Sequence, residues 1–524
     1  MNNQWGKVAV AGLMVMLSAC TSATSVISAD GYDRHVELNW DSVYSPDKTY
    51  VVKASIDGGD WVERVVTSSD GYLDYVGDQG RNLTVDYKLF EQRENGLFEV
   101  GETTAETRDF SDEELIDMVQ KYTFRYFWDN AHQETGWAYE RIPNPKDGDI
   151  ITSGGTGFGI MSVIVGAERG WITRDQAVKR METLVSSLEA LETFHGMWAH
   201  WYDASTEEVF HFSKYDDGGD IVESAFMAQG LLAARQYFNA ESTEEAALRE
   251  RITGLWQAME WDWYTQGENV LYWHWSKEHG WKMDHPIHGY NEALIVYVLA
   301  ASSPTHAIDP AVYHEGWASW DSPTFGNYND YYGMALPLGN KKHMGGPLFF
   351  AHYSFLGLDP RNLRDSYANY WEQNKRHTLI NRAYCIDNPH GWEGYGEDFW
   401  GLTAGDRVPA GYAAHAPGFR RDEGTITVTA ALSSLPYTPE ESMEVLKNLY
   451  YNHGKELFGS MGFYDGINLS VSDDPKEQVR KTYLAIDQGP IVAMLENYRT
   501  GLLWEYFMRD EDVQKGLKRL GFSY

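Results

Sequence analysis

Acidic side chains crowd one short stretch of this chain, where a pair of glycines precedes an apolar helical pattern. Asp216, Asp220 and Glu223 lie in residues 214–232, and a helix beginning near Asp220 would place Asp220 and Glu223 on one face. Two carboxylates held on one face are suited to general acid and base catalysis. The alternative is structural, because acidic residues at a helix N-terminus also complement the helix dipole.

A further acid, Glu292, directly precedes the apolar run 293–301, which predicts a helix. Glu292 therefore lies at a helix start, and Tyr290 and Trp281 are close to it in sequence. Partial removal from water keeps a carboxylic acid protonated at neutral pH. For this reason Glu292 is a candidate general acid.

Other candidate side chains lie in segments rich in aromatic residues and glycine, where a flat ring can stack on a sugar face. We expect substrate contacts from the loop 390–400 and from two further segments, which together supply Trp392, Glu393, Glu397, Trp400, Trp198, His200 and Asp487. The competing interpretation is that the aromatic residues pack in the core or within their own loop.

Composition and motifs exclude several classes of function. The net charge of -34 argues against nucleic acid and acidic polymers, whereas 20 Trp and 34 Tyr are typical of carbohydrate-binding clefts. The 17 His include no HExxH pair, and the sequence has no CxxC spacing. It also contains neither a P-loop nor a GxSxG motif. A calcium site at Asp216, Asp217 and Asp220 is disfavoured because the run lacks the alternating ligands of an EF-hand. We therefore expect no metal and no cofactor.

The N-terminus reads as a targeting segment. An apolar run at 8–17, too short to span a membrane, ends in Leu17-Ser18-Ala19-Cys20. It resembles a bacterial lipoprotein signal with its lipobox. The resemblance implies lipidation of Cys20, a mature chain anchored to the cell envelope, and retention at the outer membrane. Residues 21–30 then form a tether, and Cys385 is left without a second cysteine for an intramolecular disulfide.

The remaining chain divides into two parts by its apolar pattern. Alternating residues and turn signals predict a small all-β sandwich at 31–108, which resembles a fibronectin type III domain. Residues 110–524 carry helical signals, including capping boxes at Ser111 and Thr173 and apolar patterns at 178–191, 244–261, 291–301, 438–453 and 489–509. We expect this part to be an all-α (α/α)6 toroid whose loops form a cleft at one end.

Several segments of the helical part carry a family resemblance. In chain order they are TSGGTGFG at 152–159, VGAERGWIT at 165–173, DIVES at 220–224, QGLLAARQYF at 229–238, YNEA at 290–293, GPLF at 346–349 and AIDQGP at 485–490. This part resembles the glycoamylase-like domain family, an (α/α)6-barrel group that includes bacterial endo-β-1,2-glucanases. The resemblance implies hydrolysis of β-glucan with inversion, with β-1,2-glucan as substrate and sophorose or short oligosaccharides as products.

Inversion requires a carboxylic acid and a carboxylate about 6.5 to 9.5 Å apart, so that a water fits between them. The resemblance implies that Glu292 is the acid and that Asp220 and Glu223 also take part, while Asp216 matches a further acidic position of the family. The base is Asp220 or Glu223, and Asp487 acting through a chain of waters is the open alternative.

Three other functions compete with this prediction. They are glucoamylase-type hydrolysis of α-glucan, a polysaccharide lyase and a glycan-binding lipoprotein without activity. A lyase needs basic residues to neutralise a uronate, which the acidic composition disfavours, and a binding protein has no need of Glu292 or Asp220. The expected partner is a polysaccharide or oligosaccharide, with the membrane contacted only through the lipid anchor and the chain acting as a monomer.

Overall fold

The computed structural model describes residues 27–40, 47–144, 149–319, 323–418 and 420–524. The chain forms two compact units, the first ending at Asp109 and the second running from Phe110 to Tyr524. The expected signal segment with Cys20, and the expected tether up to residue 26, lie outside the described residues. Within the described ranges, no helix combines the length and the apolar character that crossing a bilayer requires.

The first unit is built from strands. The strands are β1 (Ser28–Gly31), β2 (His35–Asn39), β3 (Thr49–Ile56), β4 (Val62–Thr67), β5 (Gly71–Tyr75), β6 (Thr84–Arg93) and β7 (Gly96–Glu106). Their sheets have the orders β1-β2-β5 and β4-β3-β6-β7, and every neighbouring pair is antiparallel. Side chains from both sheets share one core, which includes Val36, Trp40, Tyr50 and Tyr87.

The second unit contains helices along its whole length. They are α1 (Asp112–Trp128), α2 (Ser153–Glu168), α3 (Arg174–Ala190), α4 (Ile221–Tyr237), α5 (Thr243–Gln257), α6 (Leu294–Ser302), α7 (Tyr370–Asp387), α8 (Val428–Leu432), α9 (Pro439–Leu457), α10 (Ala485–Arg499), α11 (Leu502–Met508) and α12 (Glu511–Arg519). Both expected capping boxes are present, with Ser111 before α1 and Thr173 before α3. These caps satisfy backbone N–H groups that a helix start leaves without partners.

Five helices, α2, α4, α6, α8 and α10, are buried over most or all of their length. Helix α2 packs against α4 and α10, α4 packs against α6, and α8 packs against α10. Helices α1, α3, α5 and α9 are amphipathic and lie outside this buried set. The buried set therefore forms the centre of the unit.

The predicted all-α class of this unit is wrong, because short antiparallel strands connect its helices. The strands are β8 (Arg141–Ile142), β9 (Ile150–Thr152), β10 (Thr193–Phe194), β11 (Met197–Trp198), β12 (Trp201–Asp203), β13 (Glu208–Phe210), β14 (Gly219–Asp220), β15 (His274–Trp275), β16 (Gly326–Tyr331), β17 (Met334–Leu338), β18 (Ala404–Asp406), β19 (Tyr412–Ala414), β20 (Ile426–Thr427), β21 (Phe458–Gly459), β22 (Gly462–Phe463), β23 (Gly466–Ile467), β24 (Val479–Arg480) and β25 (Tyr483–Leu484). Buried connecting segments need partners for their backbone N–H and C=O groups, and pairing between connections supplies them.

These strands have a regular relation to the buried helices. Strand β9 ends at Thr152 and α2 begins at the next residue, and the same succession joins β14 to α4, β20 to α8 and β25 to α10. Each of these four strands pairs with a strand from a distant connection, as β14 does with β15. The N-termini of four buried helices are thereby fixed by strand pairing.

Helices α2 and α4 approach each other closely at two glycines. A Cβ at position 157 would lie 2.3 Å from the Phe226 carbonyl oxygen, and one at position 230 would lie 2.3 Å from the Gly157 carbonyl oxygen. Real Cβ atoms do not tolerate such distances, so only glycine allows this crossing. The crossing fixes how far α4 and its N-terminal acids stand from α2.

We expect Gly157→Ala to lower the free energy of unfolding by about 1 to 3 kcal/mol or more, because the added methyl overpacks the crossing. Chemical unfolding measures this change. The matched control is Gly254→Ala in α5, where an added Cβ would meet no atom within 4 Å; it should be neutral or stabilising by up to about 1 kcal/mol. Equal effects of the two substitutions would contradict the close-packing explanation.

Candidate active site

Glu292 lies where three cavities of the second unit meet. The cavities have volumes of about 380, 320 and 270 Å³, and Glu292 lines all of them. The largest is also lined by His200, Glu223, Tyr353 and Tyr412, the second by Asn340, His343 and Arg421, and the third by Asp220, Trp273 and His285. Space therefore opens on more than one side of this carboxyl.

The environment of Glu292 favours its protonated form. The residue precedes α6, and its backbone carbonyl accepts a hydrogen bond from the Ser354 hydroxyl. Burial raises the pKa of Glu292 to about 7, with a smaller contribution from the nearby Asp220 charge. A carboxyl with this pKa can donate a proton at neutral pH, as the sequence predicts for the general acid.

Asp220 is the N-cap of α4. Its Oδ1 accepts the backbone N–H groups of Val222 at 2.9 Å and Glu223 at 3.0 Å. The capping interpretation is therefore correct for this oxygen. The second oxygen, Oδ2, lies 3.4 Å from Nδ1 of His200, so Asp220 also belongs to the charged wall of the cavity.

Glu223 is held by the start of α2. Its Oε2 accepts the Gly154 N–H at 2.9 Å, and a Cβ at position 154 would lie 2.2 Å from the same oxygen. Glycine is thus required for this contact. Burial raises the pKa of Glu223 to about 7 against the lowering effect of His200, and the Asp220 charge adds to the rise. Its Oε1 lies 3.7 Å from Nε2 of His200.

His200 links three of the predicted acids. Its ring nitrogens lie 3.7 Å from Asp216, 3.4 Å from Asp220 and 3.7 Å from Glu223. Burial alone would lower the pKa of His200, but the charges of Glu223, Asp216 and Asp220 raise it well above its ordinary value. The ring of Phe212 stacks on the imidazole with centroids 4.6 Å apart. The structure therefore places an imidazolium within a wall of carboxylates.

The same wall has the composition of a cation site, and it contains Asp216 and Asp220, at which the sequence analysis disfavoured calcium. His200, Asp216 and Asp220 each offer one ligand atom, and these atoms lie within 4.8 Å of one another. Imidazole and carboxylate oxygens suit several divalent metals. An imidazolium at His200 also supplies positive charge beside the two carboxylates, and this charge comes from the protein itself.

Asp487 lies apart from this wall, in the first turn of α10. It is buried, and its Oδ1 accepts a hydrogen bond of 3.5 Å from the hydroxyl of Tyr353, which lines the largest cavity. Two acids that the sequence did not single out, Asp406 and Asp465, are buried beside it. Both stand in short connecting strands and loops, without a helical pattern that could have marked them.

The structure does not bring the remaining predicted residues to these cavities. Trp198 and Trp400 are fully buried, and Trp198 donates its indole N–H to the Leu188 carbonyl. Trp392, Glu393 and Glu397 belong to the 390–400 loop, where the Glu393 N–H donates to Ser470 and the Trp392 N–H to Asn388. For these residues, core or loop packing describes the observed contacts.

Two aromatic residues of the largest cavity were missed by the sequence analysis. Phe212 and Tyr412 both line it, and each keeps 48% of its surface exposed. Large aromatic rings exposed at a cavity are suited to stacking on an apolar sugar face. Each stands in a connecting segment among many other aromatic residues, so only the folded arrangement distinguishes them.

Comparison with known proteins gives one family and several similar enzymes. The model of the Glycoamylase family, described as "Putative glucoamylase", matches residues 284–511. The chain is 42% identical over 518 residues to the exo β-1,2-glucooligosaccharide sophorohydrolase (non-reducing end) of Parabacteroides distasonis, and the match covers 94% of this chain and 70% of that protein.

Two solved structures extend this similarity. The endo-β-1,2-glucanase from Chitinophaga pinensis, solved as a sophorotriose and glucose complex, is 49% identical with a TM-score of 0.76 and covers 79% of this chain and 99% of its own. The β-1,2-glucanase from Parabacteroides distasonis is 40% identical with a TM-score of 0.86, covering 95% of this chain and 73% of its own.

The raised pKa of Glu292 predicts a pH-dependent stability. Protonation of this carboxyl stabilises the folded state fully below about pH 4.5, and the contribution is lost as the pH rises through about 7. Glu292→Gln cannot ionise. The difference in free energy of unfolding between this variant and the wild type should therefore shift by roughly 3 kcal/mol in favour of the variant between pH 4 and pH 9.

Chemical unfolding across this pH range measures the difference. The exposed Glu393→Gln is the matched control, and its difference from the wild type should stay constant with pH. A constant difference for Glu292→Gln as well would show that Glu292 ionises without cost in the folded protein.

Proposed function

We propose that this chain, which belongs to the glycoamylase-like family of glycoside hydrolases, cleaves β-1,2-linked glucose chains with inversion of the anomeric configuration. The observation that carries the proposal is the position of Glu292, whose pKa burial raises to about 7, at the junction of three cavities and beside a wall of carboxylates. The linkage is supported by the similar enzymes, which are named for β-1,2-linked glucans and glucooligosaccharides.

Glu292 acts as the general acid in this proposal. Its proton moves to the glycosidic oxygen as the bond to the anomeric carbon breaks, and the leaving sugar departs as an alcohol. Cavities on more than one side of Glu292 provide room for glucose units on both sides of that bond. The carboxylate left behind is then reprotonated from solvent.

Glu223 is the favoured base. It lines two of the cavities that Glu292 lines, whereas Asp220 lines one of them. The Oε2 of Glu223 accepts the Gly154 N–H, and its Oε1, which lies 3.7 Å from Nε2 of His200, is the oxygen that accepts a proton from water. Asp220 caps α4 and lies 3.4 Å from Nδ1 of His200, so we assign it the task of holding that imidazolium. Asp487 is the second candidate, because the Tyr353 hydroxyl connects it with the same cavity.

The charge of the chain suits an uncharged substrate. A net charge of -34 repels anionic polymers, whereas a neutral glucan experiences no such repulsion. Phe212 and Tyr412 add exposed rings at the largest cavity, onto which the apolar faces of glucose can stack. A glucan chain therefore matches both the charge and the surface of this site.

Incubation of the protein with a panel of α- and β-linked glucans tests the proposal. We expect hydrolysis of β-1,2-glucan to sophorose or short oligosaccharides, with the initial product of inverted configuration by proton NMR. Glu292→Gln should lose about 10² to 10⁴-fold of the turnover while remaining folded, because it cannot donate the proton.

Each alternative gives a distinct result in the same experiment. Hydrolysis of α-glucan alone would overturn the proposed linkage, and unsaturated products that absorb in the ultraviolet would indicate a lyase. Tight binding of glucan without any turnover would indicate a glycan-binding protein. Near-normal turnover by Glu292→Gln would remove Glu292 from the role of acid.

Tyr412→Ala tests the proposed stacking. Loss of one stacked sugar should raise KM for β-1,2-glucan roughly tenfold, which corresponds to about 1.4 kcal/mol, while kcat changes little. Tyr332→Ala is the matched control, because Tyr332 is also an exposed aromatic but donates to Asp387 instead of lining the cavities. A KM for Tyr412→Ala equal to that of the control would exclude stacking at Tyr412.

A further inference from the structure

Two buried carboxyls of the second unit face each other without a donor between them. Asp465 and Asp487 are 2% and 1% exposed, and Asp465 Oδ1 and Asp487 Oδ2 have no hydrogen-bond donor among the described residues. The two carboxyls are nevertheless close enough to form a hydrogen bond with each other. Two carboxylates in contact cannot both be ionised cheaply, so a proton between them satisfies both atoms.

The backbone and one neighbour hold Asp465 rigidly. Its N–H donates to the Thr482 carbonyl at 2.9 Å, and its own carbonyl accepts the Val428 N–H at 3.0 Å. Its Oδ2 accepts the backbone N–H of Asp406. One carboxylate oxygen of Asp465 therefore has a donor, and the other has none among the described residues.

Asp406, which donates to Asp465, is fixed in turn by charged and polar groups. Its carboxylate accepts Nη1 of Arg141 at 2.9 and 3.1 Å and the Thr482 hydroxyl at 2.7 Å. Arg141 also pairs with Glu140, and both residues line the largest cavity. The positive charge of Arg141 is thus shared with Asp406 and Glu140, and the Asp465 and Asp487 carboxyls depend on a proton of their own.

We infer that Asp465 and Asp487 share one proton, and that Asp465 is a positioning residue that acts on the cavity through Asp487 and the Tyr353 hydroxyl. The effect on catalysis rests on the proposed glucan hydrolysis, whereas the shared proton is a property of the protein alone. Asp487 carries the proton and donates it to Asp465, because only Asp465 has a backbone donor to stabilise its negative charge.

The pKa values of both carboxyls are raised, as a proton held between them requires. Burial raises the pKa of Asp465 to about 7, and burial and the Asp465 charge raise the pKa of Asp487 well above its ordinary range. The titratable and charged groups that act on the pair are Asp406, Arg141, Tyr126, Tyr353 and Tyr412. Glu140 pairs with Arg141 and Arg480 pairs with Asp406 beyond them. The contribution of this proton to the free energy of unfolding is fully present below the pKa of the carboxyls in the unfolded chain, which is near 4. It is lost as the pH rises through and above 7.

Three single variants in the full chain test the inference. Asp465→Asn and Asp487→Asn each leave one carboxyl beside an amide that can donate to it, so the remaining carboxyl ionises more easily. The matched control is Asp422→Asn, because Asp422 is also buried but accepts the hydroxyls of Tyr384 and Tyr395 instead of facing a carboxyl.

Thermal unfolding between pH 5 and pH 9 and infrared spectra of the free protein are the first readouts. We expect Tm of the wild type to fall with rising pH and both pair variants to flatten that fall. Both variants should also lose the same carbonyl stretch of a buried protonated carboxyl. Asp422→Asn should keep the slope and the band. If Asp465→Asn kept both the pH dependence of Tm and the carbonyl band of the wild type, the inference of a shared proton would be overturned.

Kinetics on β-1,2-glucan test the positioning role separately. Asp465→Asn should lower kcat roughly tenfold with KM within about twofold, because Asp465 does not reach the cavity itself. An unchanged kcat, or a change confined to KM, would overturn positioning by Asp465. If no glucan is hydrolysed while the unfolding and infrared results hold, the shared proton stands and the proposed function falls.

Discussion

The close packing of α2 against α4 is the constraint on which the rest of the site depends. Gly157 and Gly230 let the two helices touch backbone to backbone, which leaves no room for a side chain at either position. At the N-terminal end of the same crossing, the Gly154 N–H reaches Glu223. The spacing of two helices therefore decides where a carboxylate oxygen stands, and a shift of the crossing would move the acid wall.

The site also depends on how its acids are charged. Glu292, Glu223 and Asp465 have pKa values raised to about 7 by burial, and burial also raises the pKa of Asp487 well above its ordinary range. His200 is the opposite case, since surrounding carboxylates keep it positive despite its burial. A chain with a net charge of -34 thus keeps its cleft far less negative than its composition suggests, which suits a neutral polymer.

The sequence predicts features with a local signal. Capping boxes mark the starts of α1 and α3, and the helix expected near Asp220 begins at Ile221. Glu292 directly before an apolar run carries the same kind of local signal, and the structure places it at the cavities. The 390–400 loop shows the limit, because aromatic residues beside acids look alike whether they face a cleft or pack on their own loop. Asp406 and Asp465 carry no local signal, and their proximity arises only from pairing between distant segments.

The all-α prediction for the second unit is wrong for the same reason, because its short strands also lack a local sequence signal. These strands show how the site is built. Strands of two or three residues have no detectable period in sequence, yet β9, β14, β20 and β25 each end where a buried helix begins. A helix start held only by its own cap can shift along its axis, whereas strand pairing ties it to a distant connection. Asp220 is both the last residue of β14 and the N-cap of α4, and it pairs with His274 of β15. Asp487 follows β25 by three residues in the first turn of α10. Pairing between connections therefore immobilises the helix starts that carry Asp220, which lines one of the cavities, and Asp487, which is linked to the largest cavity through the Tyr353 hydroxyl.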